Sequence, residues 1–179
     1  ASGTGTPYIK GAVLQTVVQQ EDGATSFTAS GTNDVIMLAS NAADSSSHLS
    51  LSITPKSANS KILLTSCVFH EVNNTGSQST LWSFYRDSTK LAAPIAGSRR
   101  SGIGQTAIGF YTADAASTAD VVNYHYYDSP NTTSAITYSV SFNHTISGTV
   151  LYLNRTVADQ SSSGYERGIS ILIAQEIGG

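Results

Sequence analysis

"HLSLSITPKSANSKILLTSCVFHE", residues 48–71, carries two kinds of β signal back to back. In its first half Leu49, Leu51 and Ile53 alternate with Ser50 and Ser52, the period-2 pattern of a strand with one face in a core and one in water. Pro55 ends that run, because proline cannot donate to a strand ladder. In the second half Ile62, Leu63, Leu64, Val68 and Phe69 place apolar side chains on both parities. That pattern reads as a central strand covered on both sides. A half-buried strand followed by a two-sided one belongs to a layered all-β protein.

The same signals recur outward in both directions. Towards the start, "AVLQTVVQ" reads as the first strand, and a polar connection leads to a short strand in "DVIMLA". "SNAADSSSH", residues 40–48, is a loop by composition. Downstream, "NNTGSQS" reads as a turn, and "TLWSFYRDSTKLAAPI" as a hairpin connected by "RDSTK", with Trp82 and Phe84 on one face. Residues 97–106, "GSRRSGIGQT", form a glycine-rich loop, and "AIGFYT" and "ADVVNYHYY" are further strands. In "YYDSPNTTSAITYSVSF" a turn at Ser129, Pro130 and Asn131 gives a hairpin whose second strand turns Ile136, Tyr138, Val140 and Phe142 to the core. "GTVLYLNR" and "GISILIAQEI" close the chain, the latter with Ile169, Ile171 and Ile173 on one side.

Eight to ten short strands at spacings of roughly 10 to 15 residues, with no sustained 3.6-residue period, predict an antiparallel β-sandwich of jelly-roll type. The 179 residues suit a single domain over 11–179, preceded by an extended arm over 1–10 in which Gly3, Gly5 and Pro7 discourage regular structure. Pro7, Tyr8, Ile9 and Lys10 are its candidate attachment residues.

Composition narrows the function. Only 12% of the residues are charged, and 9 basic against 12 acidic side chains leave a net charge of −3. Such a surface has little attraction for nucleic acid or anionic lipid. No stretch approaches the roughly 20 apolar residues of a membrane-spanning helix, and the opening residues lack the segments of a signal peptide. Cys67, the single cysteine, excludes an internal disulfide and reads as a buried thiol.

Chemical motifs are sparse. His48, His70, His125 and His144 lack the repeated spacing of a metal site, so no metal or other cofactor is expected. Asp114, Asp120, Asp128, Asp159 and Glu166 form no recognisable acid–base pair, there is no nucleophile elbow, and no catalytic residue is assigned. "GSRRSGIG" lacks the Lys-Ser/Thr ending of a phosphate loop; Arg99 and Arg100 read as part of an interface loop. Asn131, Asn143 and Asn154 begin N-x-Thr patterns that chance explains in so threonine-rich a chain. The best-equipped cluster is aromatic: Tyr124, Tyr126, Tyr127, Tyr138, Tyr152 and His125 are candidates for contact with a glycan or a neighbouring subunit. Tyr124 and Tyr126 share one parity of their strand, and His125 and Tyr127 the other, so the run cannot present one flat platform.

"SITPKSANSKILL" (52–64), "WSFYRDSTKLA" (82–92), "YYDSPNTTSAITYSVSF" (126–142), "LYLNRTVAD" (151–159) and "GISILIAQEIG" (168–178) resemble, in order and spacing, virion structural proteins of tailed bacteriophages, notably fibre domains of cyanophage type. The likeness spans residues 11–178. It implies a β-sandwich that assembles as a homotrimer on the phage particle surface after synthesis in the host cytoplasm. Such a protein decorates (cements) the capsid, or forms a short fibre module or receptor-contacting domain. Its implied partners are the major capsid protein or another virion protein and, for a fibre, a host surface glycan. The resemblance carries over no catalytic residues. The chain departs from long fibres in having no fibrous or coiled-coil region, which makes the N-terminal arm the implied attachment element. A polysaccharide depolymerase is the remote alternative.

Overall fold

The computed structural model describes residues 9–73, 79–106 and 117–179. Its strands are, in chain order, β1 (Val13–Glu21), β2 (Thr25–Thr28), β3 (Val35–Ile36), β4 (Ser50–Ile53), β5 (Lys61–Val72) and β6 (Leu81–Arg86). They continue with β7 (Thr89–Leu91), β8 (Gly104–Gln105), β9 (Asp120–Asp128), β10 (Ile136–Asn143), β11 (Val150–Leu153) and β12 (Ser170–Ile177). These form two antiparallel sheets packed face to face, a β-sandwich.

Strand β5 organises sheet I. Along one edge it pairs with β9, from Ile62↔Asp128 to His70↔Asp120. Along the other it pairs with β12, from Lys61↔Ile177 to Cys67↔Ile171, and β1 lies outside β12. Where β12 departs, β11 takes over that edge at His70↔Leu153, with β2 beyond it. In sheet II the centre is the β10–β6 pair; β3 and β4 line the free edge of β10, and β7 and β8 that of β6.

The core follows the alternation. Leu49, Leu51 and Ile53 are buried, as are Ile136, Tyr138, Val140 and Phe142, the row read as core-facing. Trp82 and Phe84 face inward from β6; Trp82 lies 5.9 Å from Phe142 and Phe84 4.7 Å from Tyr124 of sheet I, ring centre to ring centre. Each fully buried large side chain stabilises the sandwich by on the order of 2 kcal/mol. The β6–β7 connection is the tight turn read in "RDSTK": Asp87 has φ +51°, its amide donates to Thr137 O, and its carboxylate accepts the Thr137 amide.

Three expectations are corrected. The stretch 126–142 is not a hairpin, because β9 pairs with β5 in sheet I while β10 pairs with β3, β4 and β6 in sheet II. The Ser129–Pro130–Asn131 segment, with Asn131 at φ +52°, therefore carries the chain from one sheet to the other. Second, the segment taken as a polar connection contains β2, whose Phe27 is buried and sits edge-on to Phe142 at 6.4 Å. Third, β5 is covered only on its inner side along Leu63 to Cys67; these outer side chains are half-buried, and Cys67, expected as a buried thiol, is one of them. The expected turn at 73–79 and strand at 107–112 lie largely or wholly outside the described residues, as do Pro7 and Tyr8.

Candidate interaction surface

Buried polar side chains hold the sandwich together, and several named candidates are spent on that work. Tyr138, fully buried, donates its hydroxyl to Asp128 Oδ2 at 2.6 Å. The same carboxylate accepts Arg86 Nη1 at 2.9 Å on both oxygens, so this trio ties β9 of sheet I to β6 and β10 of sheet II. Burial, reinforced by Asp128, pushes the Tyr138 phenol far above its usual range. Tyr124 is likewise buried between Trp82 and Phe84, and desolvation pushes its phenol far up. Tyr124 and Tyr138 are therefore core residues, and their candidacy as glycan or subunit contacts is withdrawn. Tyr126 packs partly against the core, and the half-buried Tyr152 carries the Arg155 guanidinium 4.3 Å over its ring.

Other polar groups close the ends. Glu71 is buried and accepts the Thr118 amide (2.9 Å), the Thr118 hydroxyl (3.0 Å) and the Val157 amide (2.7 Å), pinning two loops across one end of sheet I. Glu176 accepts the Lys56 amide (2.8 Å) and Gln15 Nε2 (2.6 Å), so the loop after Pro55 is held by the last strand. Asp34 accepts from Lys90, Tyr85 and Asn143; Arg100 donates to Asn143 Oδ1 and Ser79 O. Arg100 is thus an internal tie rather than a free interface cation, while Arg99 is exposed and donates to Ala96 O. His48 Nε2 donates to the Asp44 carboxylate at 3.0 Å, and its Nδ1 lies 3.0 Å from Glu21 Oε2. His70 is fully buried, edge-on to Trp82 at 4.9 Å. Among the described residues no group of three or more His, Cys, Asp or Glu side chains is arranged to hold a metal ion.

Among the described residues, the outer face of sheet I presents a broad exposed surface. Antiparallel partners point the same way, so the pairings read directly as rows across β1, β12, β5 and β9. One row is Thr16–Gln175–Leu63–Tyr127, the next Val18–Ile173–Thr65–His125, and the third Gln20–Ile171–Cys67–Asn123. These twelve side chains include no Asp, Glu, Lys or Arg. Val18, Tyr127 and the nearby Val121 and Ile169 are 52%, 57%, 53% and 54% exposed. The isoleucine row of β12 faces outward here, while Leu172 and Ala174 fill the core.

No family model matches this sequence, and no curated protein does. The surface is therefore described by its own chemistry. The outer face of sheet II makes the comparison: there Ser50 meets Ser139 at 2.8 Å, Ser52 meets Thr137 at 2.9 Å, and Asp34, Tyr85 and Lys90 form a charged network. This face is polar but largely covered: Ser83, Ser139, Ser141 and Asn143 are buried, while Ser52 is exposed. Sheet I instead mixes Val18, Leu63, Ile171 and Ile173 with Thr16, Gln20, Thr65, Asn123 and Gln175 on its outer face. Of the aromatic candidates, Tyr127 and His125 stand on this face, His125 Nδ1 lying 3.1 Å from Thr65 Oγ1. Ile9 and Lys10 are exposed beside it, where Gly11 donates to Gly178 O and Gly178 donates to Ala12 O. Sequence reading missed the face because each strand contributes only every second residue; the signal was the apolar content on both parities of β5 and β12.

Proposed function

We propose that this chain is a non-enzymatic structural protein on the surface of a bacteriophage virion, a homotrimeric capsid decoration (cement) protein or short fibre module with jelly-roll connectivity. One observation carries it. The outer face of sheet I carries exposed Val18, Val121, Tyr127 and Ile169 among uncharged polar side chains, a surface suited to packing against other subunits. The ordered likeness of five segments to phage virion proteins supplies the context. The buried carboxylates Glu71, Asp128 and Glu176 each accept donors from distant strands or loops, which suits a scaffold. Partners in this reading are further copies of the chain and the major capsid protein or another virion protein, with the N-terminal arm as the attachment element.

Protein counting by mass spectrometry on purified particles, together with deletion of the coding sequence, tests the reading. Many copies per particle and fragile heads on deletion fit decoration. A few copies and lost host adsorption fit a fibre. Absence from the particle contradicts both.

A second reading, a glycan-binding fibre domain, is favoured by Tyr127, 57% exposed and two residues from the exposed His125 on one face of β9. Glycan-array binding abolished by Tyr127→Ala with the fold intact supports it; an array without binding removes it.

A further inference from the structure

We infer that the groove bounded by the start of β2, the 37–48 segment and the loop from β11 to β12 is a site for a neutral saccharide. The inference is independent of the structural reading above and of the Tyr127 surface. On β5, Leu63 pairs with Tyr127 and Glu71 with Tyr152, about 26 Å apart along the strand. The groove lies at the Tyr152 end, where Ser26 pairs with Tyr152.

Its walls are held by bonds of their own. On one side the Ala43 amide donates to Ser26 O at 3.0 Å, which brings Asp44 to the rim. The Asp44 carboxylate is oriented by the Ser46 amide and by His48 Nε2, both at 3.0 Å. On the other side the β11–β12 loop is closed at its base by the backbone bridge between Arg155 and Arg167 and by the Thr156 amide donating to Glu166 O at 3.2 Å. From within that loop Asp159 accepts Arg167 Nε at 2.8 Å and Nη2 at 2.5 Å, and it lies 3.5 Å from Arg155 Nη1. Arg155 is steadied in turn over the Tyr152 ring. Between these walls lies an open hollow of about 470 Å³, the size of small-ligand sites. Asp159 and Arg167 also line a second hollow of about 260 Å³, with Gln160, Tyr165 and Glu166.

The chemistry of the lining chooses the ligand. Asp44 and Asp159 bring two negative charges to the larger hollow, and Arg155 and Arg167 two positive ones. An anion there meets two carboxylates and a cation two guanidiniums, so either is met by like charge. A neutral sugar avoids that repulsion. Each of its hydroxyls both donates and accepts, whereas a carboxylate only accepts and a guanidinium only donates. A surface that sets the two side by side therefore satisfies neighbouring hydroxyls in both senses. Asp159 takes two of the five N–H donors of Arg167 and leaves others for a ligand. In the second hollow Glu166 adds an acceptor, and the half-buried Tyr165 supplies an aromatic ring of the kind that packs on the C–H face of a sugar.

Amide NMR titration of the full-length chain with glucose, galactose, mannose and N-acetylglucosamine tests the site, with inorganic phosphate and calcium chloride as ionic probes. At least one sugar is expected to shift the amides of Ser26, Asp44, Asp159 and Arg167, saturating in the millimolar range usual for so small a ligand in an open site. Phosphate and calcium are expected to leave them in place. Ala43→Leu narrows the hollow and Arg167→Ala removes the fork. Both side chains are exposed, so the fold is expected to survive, and the spectra themselves report it. Each variant is expected to bind about tenfold more weakly or worse, and Tyr127→Ala to bind as the wild type does.

The absence of shifts with all four sugars overturns the inference. Shifts gathered around His125 and Tyr127 overturn it too, since binding then belongs to β9. So does wild-type affinity in folded Ala43→Leu and Arg167→Ala proteins. Movement of the groove amides with phosphate or calcium and with no sugar makes it an ion site and overturns it as well. The structural reading survives each of these outcomes, because its own failure shows as absence of the protein from particles.

Discussion

Tyr138 and Asp128 stand on different sheets, and the 2.6 Å hydrogen bond from the Tyr138 hydroxyl to the Asp128 carboxylate locks the two layers together at the point where the chain crosses between them. Arg86 completes the lock from β6. Ten residues separate Tyr138 and Asp128 in sequence, so a local segment sets the spacing of the layers.

Tyr138→Phe removes one donor and leaves Asp128 paired with Arg86; the expected loss is about 1.5–3 kcal/mol. Asp128→Ala strands a buried phenol and a partly buried guanidinium, and is expected to cost more, about 3 kcal/mol or above. Urea unfolding of the two single variants and the double variant measures the coupling. Additive losses would mean that the trio does not act as a unit.

His70 makes the fold sensitive to acid. Burial holds its imidazole down to about 4, against an ordinary value of 6.5, so it is neutral in the folded protein. Its Nε2 lies 3.1 Å from Thr106 Oγ1, which accepts Trp82 Nε1–H at 2.9 Å, and its Nδ1 lies 3.3 Å from Val68 O. A tautomer with Nδ1 donating and Nε2 accepting satisfies all three contacts. The unfolded chain takes up the proton first, so this contribution to stability is whole above pH 6.5 and falls away as pH drops towards 4. At about 1.4 kcal/mol per unit the loss is on the order of 3 kcal/mol. Unfolding free energies measured from pH 7 to 4 should show that slope, and His70→Gln should flatten it; an unchanged slope in the variant assigns it to other groups.

Asn154 ties the end of β1, the loop after it, the start of β12 and β5 together from one position. Its Nδ2 donates to Glu21 O (2.8 Å) and Gly23 O (2.9 Å), and its Oδ1 accepts the Ser170 hydroxyl at 2.6 Å. Its own amide donates to Phe69 O, and its φ is +60°. Asn154→Ala loses the side-chain bonds and also strains the left-handed backbone; Asn154→Gly loses only the bonds. Both are expected to destabilise by about 2–4 kcal/mol in thermal or urea unfolding, with alanine the worse by about 1 kcal/mol. Equal losses would show that the backbone conformation relaxes.

Much of the layered architecture was legible because its signals are local. The alternation at Leu49, Leu51 and Ile53, the row from Ile136 to Phe142, and the turn at Asp87 all act within a few residues. Partner choice is not local. The turn at Ser129–Pro130–Asn131 announces a reversal without saying which sheet receives the next strand, and so a hairpin was expected where β9 and β10 part. β2 was hidden because Phe27 is the one large apolar residue in its four. The two-sided apolar pattern of β5 was read as full burial; one of those sides faces out of the chain. The aromatic cluster split along its parities as expected, with Tyr124 inward and His125 and Tyr127 outward, but the depth of Tyr138 is set by Asp128 and Arg86 across the sandwich.

A cryo-EM map of the intact particle tests the structural-protein reading most directly, since position, copy number and symmetry come from one experiment. The expected map shows this sandwich in symmetric clusters on the particle surface. A particle without the protein, or one carrying only isolated copies, would contradict it.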